Sequence, residues 1–270
     1  MKYFAIIKQH QFQFFLQSIK YDTINALELI FMNKYKTLIF DLDDTLIDNN
    51  QSIKYAFTVM INELGLEYSN ELFSKWKNFD IAYWHIWESG KMVIPDSINT
   101  IKDKITYLRA NRFILFFKDL KLDFNSAIEL NELYCKMLGV NIIEIENASK
   151  LLQELHPKHE ILIATNGPKI AAINKVEKAK LAPYISKIVC SEEIGFSKPM
   201  SEFFDFLYNK TQNKDKSKML LVGDSLSTDI LGGMNNGIDT CWFNPNNNSL
   251  PREYTPTMTI NKLLQLKKKL

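Results

Sequence analysis

Cysteine is scarce, charge of either sign is unremarkable, and no long hydrophobic run is present. The three cysteines, Cys135, Cys190 and Cys241, stand far apart with no CxxC pair. They encode neither a disulfide framework nor a cysteine zinc site, and free thiols fit a reducing compartment, so a cytoplasmic location is expected. The 33 Lys and Arg against 31 Asp and Glu leave a formal net charge of +2. No long basic face is implied, and neither a nucleic acid polymer nor a membrane is expected as a partner. No apolar stretch approaches the ~18 residues of a membrane span. The apolar N-terminus is broken by Lys8, Gln9 and His10 without a small-residue cleavage site, which argues against a secretory signal. Internal repeats and low-complexity tracts are missing too.

What remains is an ordinary globular composition, 46% hydrophobic and 24% charged over 270 residues. That length suffices for one large domain or two smaller ones with real cores. Residues 1–31 admit two readings: an amphipathic helix, or an accident of start-site choice ahead of Met32, which opens a natural first strand. Residues 37–42, TLIFDL, form a short apolar run that stops at an acidic cluster, the pattern of a buried strand ending at a polar edge. From 51 to 140 the texture turns helical, with amphipathic stretches at 52–65, 71–89, 98–119 and 125–138. Strand texture returns at 160–165, 187–190, 218–223 and 239–243. Between these strands lie helical segments near 147–156, 168–180, 200–211 and 227–236. Residues 244–252 read as a polar loop and the final KKKL as a solvated tail.

Short apolar strands alternating with helices predict an α/β fold: a Rossmann-like parallel sheet flanked by helices. A single crossover in such a sheet takes on the order of 30 residues, whereas on the order of 120 separate Asp41 from Thr165. The excess predicts an inserted α-helical cap domain at 51–140, with 32–50 and 141–270 forming the catalytic core.

The chemistry gathers at strand ends, where open parallel sheets bind ligands. Asp41 and Asp43 lie two residues apart as the chain leaves its first strand, so both carboxylates face one side. Thr165, Asn166 and Gly167 end the strand at 160–165. Gly223 and Asp224 end the strand at 218–223, with Asp229 in the first turns of the following helix. Lys198 precedes Pro199, which suits the first position of a helix. Together these groups fit attack on a phosphate monoester. A carboxylate nucleophile and a phosphate dianion repel each other, by several kcal/mol at ~4 Å and an effective dielectric of about 20. A divalent cation removes that barrier, and magnesium prefers hard oxygen ligands such as Asp41, the Asp43 backbone carbonyl and Asp224. Lys198 and Thr165, with the Asn166 amide beside them, would hold the phosphoryl oxygens. Asp41 is then the nucleophile and Asp43 the acid/base.

DLDDTL (41–46), IATNG (163–167), SKP (197–199) and GDSLSTD (223–229) resemble the four ordered motifs of haloacid-dehalogenase superfamily phosphatases. The resemblance covers residues 36–262 and puts the insert where that family carries its helical cap. It implies the same roles for Asp41, Asp43, Thr165 and Lys198, with Asp224 as metal ligand. Asp229 would orient Lys198 or metal-bound water. SEEIGFSKP (191–199), YWHIWESGKM (83–92) and the stretch 223–244 look like the branch that hydrolyses pyrimidine nucleoside 5′-monophosphates, which implies a Mg2+-dependent 5′-nucleotidase acting on a small phosphorylated metabolite.

Plainer readings stand beside these. Leu72, Trp76, Phe79, Tyr83 and Trp87 recur at helical spacing and read as cap core. Trp84 and His85 lie off that stripe and are the cap candidates for substrate contact. Asp229 alone reads equally as a helix N-terminal acid. Rival functions are a sugar-phosphate phosphatase or phosphomutase of the same fold, a dehalogenase, and a non-catalytic binding protein. A dehalogenase would need neither Asp43 nor Asp224.

Overall fold

The computed structural model describes residues 34–270, so both readings of residues 1–31 lie outside the described residues. Six strands form one parallel sheet in the order β3-β2-β1-β4-β5-β6. They are β1 Thr37–Phe40, β2 Glu160–Thr165, β3 Lys187–Cys190, β4 Met219–Gly223, β5 Asp239–Phe243 and β6 Met258–Ile260. The sheet is α/β and Rossmann-like, as the alternation of short apolar strands with helices predicts.

β1 is buried along its whole length and takes β2 on one side and β4 on the other, with Phe40 opposite both Ile163 and Val222. The chain order therefore reverses at β1, and a crevice opens beyond its carboxyl end. Side-chain alternation splits the strand between two cores. Leu38 and Phe40 pack with Leu151 and Leu152 of α5 (Ala148–Leu155), while Ile39 packs with Phe203 and Phe204 of α8 (Ser201–Lys210).

Four helices lie between β1 and α5: α1 Asn49–Glu63, α2 Asn70–Glu88, α3 Ile101–Phe116 and α4 Phe124–Met137. The chain signals where each of them starts. Asp48, Ser69, Thr100 and Asp123 each accept a hydrogen bond from a first-turn amide, which satisfies donors no helix can pair internally. Their apolar faces share a cluster centred on Trp76, which stacks on Phe57 and Phe113 at 5.9 and 5.2 Å between ring centroids. Trp76 and Tyr83 thus lie in the core, as the stripe predicts.

Three details differ from expectation. The segment 227–236 is not one helix but a π-helical turn, Leu226–Ile230, followed by α9, Leu231–Asn235. Pro199 does not open a helix, because α8 starts two residues later at Ser201. The final KKKL keeps its three lysines exposed, but Leu270 is anchored. Leu263, Leu266 and Leu270 recur every three or four positions and bury themselves in the same core as α5. The three cysteines are free and buried.

Candidate active site

Beyond Phe40 the chain turns through Asp41–Ile47. Leu46 and Ile47 donate back to the Leu42 carbonyl, and Asp44 takes a left-handed conformation at φ 62° that an aspartate tolerates. This compact loop fixes the two predicted carboxylates differently. Asp41 is buried, and its Oδ1 accepts from the Lys198 ammonium at 2.5 Å. Asp43 stays partly exposed and pairs instead with the ammonium of Lys175.

Lys198 is buried in a ring of acceptors: Asp41 Oδ1, the Ala164 carbonyl at 2.7 Å and Asp229 Oδ1 at 2.7 Å. Three N–H groups meet three oxygens. Burial works against the ammonium charge, but Asp229 and Asp41 outweigh it and hold the group above its ordinary range. Lys198 therefore holds the predicted nucleophile, and it reaches a phosphoryl oxygen only by sharing or exchanging one of these bonds.

Asp229 sits in the π-helical turn, a geometry that recurs at functional positions. Its carboxylate comes so near Gly223 that a Cβ there would stand 2.2 Å from Oδ2. Any other residue at 223 would push it away. Asp224, next along, exchanges hydrogen bonds with Thr45 at 3.1 Å, and its carbonyl accepts from the Trp242 indole at 2.9 Å.

Asp41, Asp224 and Asp229 each offer a carboxylate oxygen within 4.8 Å of the others. One ammonium faces three acids there. Burial first, then Lys198 in opposition and Asp229 and Asp224 in support, leave Asp41 well above the usual carboxylate range. Burial and Asp229 push Asp224 up to about 7. Such a set of hard, charge-rich oxygens lacks positive charge, and that is the donor chemistry a magnesium ion fits. The carboxylate of Asp43 is not part of the cluster, which leaves its backbone carbonyl as the expected contribution.

Thr165 is buried at the end of β2, and its Oγ1 accepts from Gly167 N at 3.0 Å. A Cβ on Gly167 would stand 3.2 Å from both Asp43 Oδ2 and Thr165 Oγ1, so the missing side chain keeps these two groups adjacent. Asn166, expected among the phosphate-holding groups, lines the same cleft; its amide nitrogen donates to the Lys198 carbonyl at 3.0 Å and its oxygen accepts from Lys198 N at 2.9 Å. It ties the end of β2 to the lysine loop.

A cleft of about 530 Å³ joins these groups to the inserted helices. Trp84 lines it, as expected, and so does Trp87, which the helical stripe assigns to the core. His85 is a correction, being exposed and outside the cleft lining, because one residue along a helix turns it about 100° from Trp84. Among the lining residues that escaped sequence reasoning, Arg112 and Lys175 stand out by their burial. Arg112 is buried against the faces of Trp76, Trp84, Phe113 and Tyr134, 4.7–5.3 Å from their centroids, and bonds Asp80 at 2.7 Å. Lys175, on α6 (Lys169–Lys178), is the other. Neither stands near a recognisable motif. Thr45 lies inside DLDDTL and was legible there.

The comparisons agree with this geometry. The model of the haloacid dehalogenase-like hydrolase family matches residues 35–237. The HAD-hydrolase YfnB of Bacillus subtilis is 30% identical over 235 residues, 87% of this chain and 95% of that protein. The pyrimidine 5′-nucleotidase YjjG of Escherichia coli is 27% identical over 235 residues, 86% and 96% of the two chains. A crystal structure of YfnB bound to magnesium matches with a TM-score of 0.74 and 28% identity, covering 87% of this chain and 98% of that one. A 2-haloacid dehalogenase from Pseudomonas syringae shares the fold at a TM-score of 0.63 and 24% identity, over 87% and 97% of the chains. This chain belongs to the haloacid dehalogenase-like hydrolases.

Proposed function

We propose that this hydrolase is a magnesium-dependent phosphatase acting on small phosphate monoesters, with pyrimidine nucleoside 5′-monophosphates as its substrate class. The observation that carries the reading is the meeting of Asp41, Lys198, Asp224 and Asp229 in one largely buried cluster, with Asp224 half-exposed and Asp43 and Thr165 on the same cleft. Asp41, Asp224 and the Asp43 carbonyl would hold magnesium, which when bound offsets the repulsion between carboxylates and phosphate dianion. Asp41 attacks phosphorus and forms an aspartyl-phosphate while the leaving oxygen departs. Asp43 gives that oxygen its proton, then takes one from the water that releases phosphate. Thr165, at the cleft floor, donates to the transferring group, and Lys198 keeps Asp41 aimed. The helices α1–α4 serve as a cap whose cleft-facing side, with Trp84, Trp87 and the Arg112–Asp80 pair, receives the leaving group.

The nucleotide assignment draws on YjjG and on the pyrimidine 5′-nucleotidase PynA of Streptococcus pneumoniae, 28% identical over 227 residues, 84% and 91% of the two chains. A flat aromatic beside a charged pair suits a polar heteroaromatic base. A dehalogenase reading leaves Asp43 and Asp224 without a task.

The test is a hydrolysis screen over nucleotides and sugar phosphates, with magnesium and with excess EDTA. UMP or dTMP is expected to outrun AMP and every sugar phosphate, and chelation to silence the enzyme until magnesium is restored. Dominance of sugar phosphates discards the nucleotide assignment. Activity unchanged in EDTA discards the metal.

A further inference from the structure

Lys175 is the second buried ammonium of the cleft, and the chemistry proposed above leaves it without a task. It rises from the second turn of α6, and its side chain is 2% exposed. Burying an ammonium costs several kcal/mol unless partners meet it. Its partners are Asp43 Oδ1 and, at 3.0 Å, the side-chain oxygen of Asn49, the first residue of α1. One nitrogen thus joins the β1 loop, the entry to the inserted helices and the helix that follows β2. The other carboxylate oxygen, Asp43 Oδ2, is the one beside Gly167 and Thr165.

We propose that Lys175 is the positioning residue for Asp43: it grips Oδ1 so that Oδ2 faces the oxygen of the departing alcohol. This rests on the phosphatase reading. In the step concerned, a bond forms between an Asp41 oxygen and phosphorus and the bond from phosphorus to the leaving oxygen breaks. The electron pair stays on that oxygen, and the proton comes from Asp43. A carboxyl group on a short side chain swings freely about two torsions, and a misplacement of about 1 Å in such a transfer costs on the order of 100-fold. Lys175 fixes both torsions without touching substrate. The Asn49 contact adds that the grip is set where the chain enters the inserted helices, so it is held from two sides.

The test exploits leaving groups that differ in their need for a proton. A nucleoside 5′-oxygen requires one, whereas p-nitrophenolate departs without it. The ratio kcat/KM reports events up to departure of that group, so the later hydrolysis of the intermediate does not enter. Lys175→Met is expected to lower kcat/KM for UMP by on the order of 100-fold and for p-nitrophenyl phosphate by less than about threefold, with Lys175→Arg recovering most of the UMP loss. Should Lys175→Met fail to fold, Lys175→Gln keeps a donor for Asp43 without the charge, and the same pair of substrates is read. Losses equal for both substrates, as damaged packing would produce, overturn the proposal. So does UMP hydrolysis within about threefold of wild type. A wild-type protein inactive on every ester removes the phosphatase reading itself, and is told apart by its effect on the unmutated chain.

Discussion

At the carboxyl ends of β1 and β4 two buried carboxylates and a half-buried one gather around one buried ammonium, whereas among the inserted helices one buried guanidinium meets one half-buried carboxylate. The second arrangement is complete in charge. Arg112 has Asp80, and four aromatic faces cover its planar surfaces. The first is not, since Lys198 pairs with Asp41 and Asp229 while the Asp224 carboxylate beside them bonds the Thr45 hydroxyl instead. A balanced buried pair supports its surroundings as it stands. An unbalanced one raises the free energy of the fold and is tolerated where a ligand completes it. The two regions therefore differ in what they still lack: the carboxyl ends of the central strands need a counter-charge that the helical face already has.

The largest expected effect lies at the carboxyl ends of the central strands. Asp41→Asn is expected to lower kcat by on the order of 10³-fold or more on any phosphate ester, because the amide keeps the shape but is a poor nucleophile. Lys198 retains Asp229 and the Ala164 carbonyl, so circular dichroism and melting should show an intact fold. Retention of more than a few per cent of activity would take the nucleophile role from Asp41 and with it the contrast between the regions.

A smaller effect tests the imbalance directly. Asp224→Asn keeps an acceptor for the Thr45 hydroxyl while removing one of the crowded charges. In excess EDTA the variant is expected to melt higher than wild type, by about 2–4 °C for each kcal/mol of repulsion relieved. Added magnesium should raise the Tm of wild type and leave the variant where it is. A lower melting temperature in EDTA would mean that the carboxylate cluster is already satisfied, and that the two regions do not differ in the way described.

How far each region could be read from the chain follows the same division. The strand at Glu160–Thr165 and the motifs at 41–46 and 223–229 are short, local and tied to strand ends, so sequence order alone brought Asp41, Thr165, Lys198 and Asp224 together. The four inserted helices were legible because their apolar periodicity is strong. Their function was not. Whether Trp84, His85 or Trp87 meets the cleft depends on helix rotation against Phe113 and Tyr134, a tertiary matter that periodicity within α2 does not carry. Lys175 was invisible for a related reason, since a lysine on an amphipathic helix reads as solvated until its partner, Asp43, is placed beside it across the fold. The tie from the Asn166 amide to the Lys198 backbone was invisible for the same reason, since the loop it bonds comes from another part of the chain.

The smallest expected effect sharpens the comparison from the helical side. Trp84 packs edge-on against Tyr83 at 5.5 Å and beside Arg112 at 5.2 Å, and it is not part of the buried cluster around Trp76. Stacking of a base on such a ring contributes ~1–3 kcal/mol, so Trp84→Ala is expected to raise KM for UMP by roughly 10-fold while kcat stays within twofold. Glycerol phosphate, which has no ring to stack, should lose almost nothing. The fold should tolerate the change, since the cluster around Trp76 keeps its contacts. A loss confined to kcat would instead couple the ring to the transfer step, and the helical face would then share the chemistry proposed for the acids at the carboxyl ends of the central strands.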